Sequence, residues 1–313
     1  MIVFSGRIMI KKFIKPLLFI SILFFASCEN PVPVDLIDSS QQSDKDLQIE
    51  VLSTNPDDET NSSDVDTTGY NNSNFDYQGE IFLSKNIINY QSTTIESNFA
   101  QTILFDKTNP IRNRNNRIIG YRSRNLLNVR YNNHNAREVP YTIKMNQGGN
   151  ILDSLLGKKY ILFYKSNFIY SDSIDFEFGS PVNVELVHSP ARRFSRDLLM
   201  PEKILGNIKI NTSTNAEYKT VLEWNGLNKD KIQIIIGAYT KNIIPILIPL
   251  YRLKTKDDGN LILPKNLIES IPKDKFGKLA FIFIRQNNEL INFNGEQIFS
   301  RTQSTNTHII NIP

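Results

Sequence analysis

Tyr218-Lys219-Thr220-Val221-Leu222-Glu223-Trp224-Asn225-Gly226 alternates along its length. Tyr218, Thr220, Leu222 and Trp224 share one parity, Lys219 and Glu223 the other, and Asn225-Gly226 closes the run. Side chains of a strand point alternately to opposite faces, so this is a β-strand with one buried face that ends in a turn. Trp224, the only tryptophan, falls on the inner parity, which predicts a core residue rather than an exposed ligand platform. The pattern recurs on either side. Val139, Tyr141, Ile143 and Met145 oppose Thr142 and Lys144 ahead of Gly148-Gly149-Asn150, and Ile174, Phe176 and Phe178 alternate with Asp175 and Glu177. Ile234–Tyr239 and Leu279–Ile284 are short unbroken apolar runs, expected of strands covered on both faces. Asp257-Asp258-Gly259-Asn260, between Tyr251–Lys254 and Leu261–Leu263, reads as a hairpin turn. His308–Ile312 reads as a last strand. Helical signal is confined to one turn at Asn266–Ser270 and a short helix suggested by Phe194 and Leu198, four apart beside Met200-Pro201.

Many short strands with so little helix predict an all-β chain of sandwich type. Two tandem β-sandwiches are expected, 80–198 and 199–313, divided near Asp197–Glu202, where Ser189-Pro190, Arg192, Arg193, Arg196 and Pro201 cluster. The second half resembles the C-terminal immunoglobulin-like domains of bacterial lipoproteins that have no assigned activity. The residues that carry this are Leu222-Glu223-Trp224-Asn225-Gly226, Asp257–Pro264, Leu267, Ile271-Pro272 and Phe281–Arg285. The resemblance implies an immunoglobulin-like sandwich behind a lipidated start, and no reaction.

Charge divides the 313 residues into three. Residues 1–28 hold four bases and no acid; 29–79 hold twelve acids and one base, Lys45; 80–313 hold 31 bases and 20 acids. In the first segment Lys11, Lys12 and Lys15 precede the apolar run Leu17–Phe25, which ends in Ala26-Ser27-Cys28, and Met9 is the expected start. A basic opening, a short apolar core and small residues before a cut make a signal peptide, 1–27, too short to span a bilayer as a helix. Phe25-Ala26-Ser27-Cys28 resembles the lipobox of bacterial lipoproteins, with Phe25 in place of the usual leucine. The resemblance implies a lipidated Cys28, the only cysteine in the chain, and so attachment to a membrane. By the same resemblance Glu29, rather than aspartate, favours the outer membrane.

Residues 28–79 carry few apolar side chains and many acids, so a flexible acidic tether is expected after the lipidated cysteine. Its one apolar island, Leu47–Leu52, alternates with Gln48 and Glu50 as a docking strand would.

No phosphate-binding glycine loop, nucleophile elbow or paired metal-binding histidine motif occurs, and one cysteine with three scattered histidines offers no cysteine- or histidine-based metal site. No cofactor and no catalytic residue are expected. Asp175 and Glu177 are expected to face solvent. The most unusual feature is basic: the span from Lys107 through Arg137 holds seven arginines and no acid. Arg112, Arg114, Arg117, Arg122, Arg124 and Arg130 are candidate polyanion-binding residues, because the guanidinium fork suits phosphate and carboxylate. Arg122 and Arg124 should share one strand face, as should Arg112 and Arg114. The bland reading is a solvated basic face that balances the acidic tether. The expected function is a lipid-anchored, non-catalytic envelope protein for binding, adhesion or assembly, with an envelope protein or glycan as partner and no nucleic acid. The alternatives are polyanion binding through 107–137, for lipopolysaccharide or acidic glycan, and, less favoured, hydrolysis of envelope carbohydrate.

Overall fold

The computed structural model describes residues 47–52, 77–112, 116, 118–147, 150–165, 174–212, 218–229 and 231–312. The expected leader 1–27, Cys28 and most of the expected tether lie outside the described residues. Among the described residues the chain is almost wholly β: seventeen strands and one helix of five residues, α1 (Lys265–Glu269). The alternating segments account for this: Ile174 and Phe176 of one, and Leu222 and Trp224 of another, place one apolar parity against a core.

One large sheet runs through both halves of the chain. It takes the strands in the order β1 (Gln48–Val51), β14 (Leu247–Lys256), β13 (Lys231–Thr240), β16 (Phe276–Phe293), β17 (Glu296–Asn311), β2 (Gly79–Tyr90), β3 (Thr93–Arg112), β8 (Asn150–Lys165) and β7 (Arg137–Gln147), with β4 (Ile118–Arg124) also on β3. Two small sheets complete the set. One holds β10 (Arg192–Leu199), β9 (Pro181–Ser189), β5 (Asn128–Tyr131) and β6 (His134–Asn135); the other holds β11 (Gly206–Thr212), β12 (Tyr218–Trp224) and β15 (Asn260–Ile262).

Two cores result. The first joins Ile81, Leu83, Leu104 and Tyr160 of the large sheet to Val129, Val184, Leu186 and Leu198 of the four-stranded sheet. The second joins Ile234, Leu253, Phe281 and Phe283 of the large sheet to Leu222, Trp224 and Leu261 of the three-stranded sheet. The chain passes from one to the other between Met200, in the first core, and Ile204, in the second. The large sheet does not divide there. The β16–β17 hairpin puts Phe281 and Phe283 into the second core and Ile291, Phe293 and Ile298 into the first. Beyond it, β17 lies parallel to β2 from Ile298↔Gly79 to Ile309↔Tyr90. The apolar island is β1, antiparallel to β14, with Leu47, Ile49 and Val51 on the second core.

Several expectations change. Phe194 and Leu198 lie on strand β10, because a spacing of four fits period two as well as a helical turn, and Phe194 meets Phe293 edge-on. The Asp257–Asn260 turn does not close a hairpin: β14 pairs with β13 and β1, whereas β15 pairs with β12. The chain changes sheets there because Gly259 (φ +96°) presses against Trp224, whose N–H donates to the Gly259 carbonyl at 2.9 Å. Ile174–Glu177 keeps the expected alternation, with Ile174 and Phe176 buried, but joins no ladder. The final strand begins at Glu296, twelve residues before the apolar signal.

Because one hairpin serves both cores, they should melt together. Leu83→Ala in the first core and Leu253→Ala in the second, both fully buried, should each cost about 2–5 kcal/mol and lower the same calorimetric transition. Two transitions that shift separately would show independent cores.

Candidate functional site

The arginines of 107–137 are distributed over different elements. Arg112 ends β3, is exposed, and donates to the Asn116 carbonyl at 2.8 Å. Arg114 and Arg117 lie outside the described residues. Arg122 and Arg124 share a parity on β4 but differ in circumstance. Arg122 is exposed and forms no ion pair with a described residue; its register partner Asp106 is engaged by Thr108, whose hydroxyl (2.6 Å) and N–H (3.1 Å) hold the Asp106 carboxyl below its ordinary value. Arg124 forms a two-pronged bond with Glu296 at the start of β17, with Nη1 to Oε1 at 2.7 Å, and so ties the halves together. Arg130 is on the other sheet, opposite Glu185 on β9, with Nη1 3.3 Å from its carboxylate and Nε donating to Asn135 at 3.0 Å. Lys107 sits over the Tyr121 ring. Thus Arg124 and Arg130 already hold carboxylates, and Arg112 and Arg122 are the two described candidates turned to solvent.

The densest polar chemistry lies where the cores meet, and apolar periodicity does not reveal it. Ser300, Thr302, Gln303, Ser304, Thr305 and Asn306 of β17 are all buried. A buried polar group is costly unless hydrogen-bonded. One face of β17 meets that demand with the chain that links the cores. The Thr302 hydroxyl donates to the Leu199 carbonyl (2.6 Å), Ser304 Oγ accepts from the Ile204 N–H (3.2 Å), and Asn306 Oδ1 accepts from the Gly206 N–H (3.0 Å). Gly206 is required there: a Cβ would stand 2.3 Å from the Phe283 ring. On β2, Lys85 donates to Asp175 at 2.7 Å, and Asn98 donates to the same oxygen at 2.9 Å. Burial acts to raise the Asp175 pKa, but those hydrogen bonds outweigh it and leave the group below its ordinary value. Although exposed, Asp175 is a partner in this seam and not merely a solvated carboxylate.

Beside the seam lies a buried triad. The Trp224 indole N–H donates to Asp257 Oδ1 at 2.8 Å, and Arg285 binds Asp257 through Nε (2.8 Å) and Nη2 (3.0 Å to Oδ1). The remaining guanidinium protons reach the carbonyls of Lys203 (3.1 Å) and Asn225 (2.9 Å). The sequence placed Trp224 correctly in the core, but did not show its N–H partner. A buried pair of this kind contributes little net stability, yet losing one member leaves an uncompensated charge. Arg285 and Asp257 therefore hold the linker, the 225–228 turn and the sheet crossover in one arrangement.

His134 and His188 are exposed. His308 is half-buried at the end of the polar row, edge-on to Phe283, with Nε2 2.6 Å from Asn306 Oδ1. Burial pushes its pKa below the ordinary 6.5. Among the described residues no three of His, Cys, Asp and Glu gather as a metal site would need.

Two outcomes follow from this geometry. Asp257→Asn should destabilise the fold by about 3–5 kcal/mol in denaturant titration, and Arg285→Met on that background should recover part of the loss, because the stranded charge is then gone. An Asp257→Asn protein as stable as the parent would refute the triad. Because burial lowers the His308 pKa in the folded state, the unfolded chain takes up its proton first as pH falls. Stability should therefore drop from about pH 7 through the ordinary histidine range and level off below the folded pKa, and His308→Gln should flatten that slope. In comparisons with known proteins, the chain matches no family model, no curated protein and no solved structure.

Proposed function

We propose that this protein is a lipid-anchored component of a bacterial cell envelope, attached at the outer membrane through acyl groups on Cys28 and acting without catalysis in binding, adhesion or assembly. The observation that carries the reading is the N-terminal arrangement: Lys11, Lys12 and Lys15, the apolar run Leu17–Phe25, then Ala26-Ser27 and the only cysteine. Twelve acids in 29–79 support a spacer, since like charges extend a chain of low hydrophobicity. Strand β1 supports a bound site within that spacer, seated on β14 with Glu50 paired to Arg252 at 2.8 Å.

The two halves are read as sandwiches, the second of immunoglobulin-like type. Support comes from its strand sets: β11-β12-β15 faces β14-β13-β16-β17 across one core, a division of seven strands into three and four. Among the described residues the polyanion reading contracts to Arg112 and Arg122, since Arg124 and Arg130 hold carboxylates.

Cys28→Ala should abolish incorporation of an alkyne-tagged fatty acid and shift the protein out of the membrane fraction. Unchanged labelling would overturn the anchor.

A further inference from the structure

The connection between β13 and β14 carries an apolar tip. It reads Lys241-Asn242-Ile243-Ile244-Pro245-Ile246; Ile243 is fully exposed, and Ile244 and Ile246 are 77% and 41% exposed. The base of the loop is closed: the Thr240 N–H donates to the Ile246 carbonyl and the Ile246 N–H to Thr240 Oγ1, both at 3.0 Å. That closure projects the isoleucines away from the second core, so they stay outside a body with ample apolar interior.

What surrounds them is basic. The turn before β16 lies alongside, with the Lys241 N–H on the Lys275 carbonyl (3.1 Å) and Lys241 Nζ on the Lys273 carbonyl (2.6 Å). Lys241, Lys273, Lys275 and Lys278 stand in these segments, and Asp274 is the only acid in 241–246 and 271–278. Behind the tip, Tyr90, Tyr239, Pro245, Gly277, Lys278 and Ile309 line an apolar groove of about 260 Å³, with Lys278 over the Tyr90 ring. Apolar residues at a tip, a collar of lysines and tyrosines just behind match the layers of a lipid surface: acyl chains, phosphates and the interfacial belt.

We infer that the 241–246 loop is a membrane-docking tip, whose isoleucines enter the headgroup boundary of an anionic bilayer while Lys241, Lys273, Lys275 and Lys278 meet its phosphates. Charge complementarity selects an anionic bilayer over an apolar protein groove. The inference does not depend on the anchor at Cys28, and its test removes that cysteine.

The full chain carrying Cys28→Ser and Ile244→Cys would be labelled at residue 244 with an environment-sensitive nitrobenzoxadiazole dye. A parallel protein would carry the dye at the exposed Leu127→Cys. With mixed phosphatidylglycerol–phosphatidylcholine vesicles, the dye at 244 should shift to the blue and be quenched by lipids brominated high on the acyl chain. The dye at 127 should do neither. Lys241→Gln with Lys275→Gln should weaken the response about tenfold or more, and raised salt should do the same. Three results would overturn the inference: a dye at 244 that stays in water while the chain is held on vesicles by its leader, an equal response to phosphatidylcholine alone, or a shift without vesicles that grows with protein concentration, which would mark the tip as a contact between copies.

Discussion

The parallel ladder between the last strand, β17, and the first strand of the first half, β2, is the constraint on which the rest depends. Twelve residues of each strand are in register. Without that pairing each half would present a long open edge, with a row of unpaired N–H and C=O groups. With it, β16 and β17 become a hairpin long enough to fill the second core with one end and the first with the other. Arg124 and Glu296 secure the same junction from the arginine-rich segment. A sheet closed by residues more than two hundred positions apart also has high contact order, so assembly of the seam has to follow translation of almost the whole chain.

That ladder explains why β17 is polar. A connection between two cores must cross the inner face of the sheet, and its backbone groups need partners there. Thr302, Ser304 and Asn306, two residues apart on one face, supply them to Leu199, Ile204 and Gly206. The Trp224–Asp257–Arg285 triad continues the same task at the crossover from β14 to β15. Polar residues inside this fold therefore orient the linker, while Leu, Ile and Phe on either side provide the burial.

On the lipid-anchored reading, β1 matters for geometry. Eighteen residues separate Cys28 from Leu47, so fully extended chain between them reaches at most about 60 Å. Because β1 is fastened to β14, the C-terminal half is the part held closest to the anchor, although it comes last in sequence. The isoleucine tip belongs to that half, at the start of β14.

The strand periodicity of β7, β12, β13 and β16, the one-turn helix α1, the docking island β1 and the core position of Trp224 were all legible in the sequence, because each is a local pattern of apolar spacing that a strand or helix turns into a face. The path of the chain was not legible. Asp257–Asn260 has hairpin composition, yet the chain changes sheets there, because Gly259 lies against Trp224 and Gly226 at the end of β12 and β15 pairs with β12. Most of β17 carried no apolar signal, since its side chains serve a linker that only the tertiary fold brings over it. The arginines were visible as a run, but whether each faces water or a glutamate was decided by strands far away in sequence. Local spacing determines what kind of element a segment forms; the partners of its polar groups are long-range, and only the assembled sheet decides them.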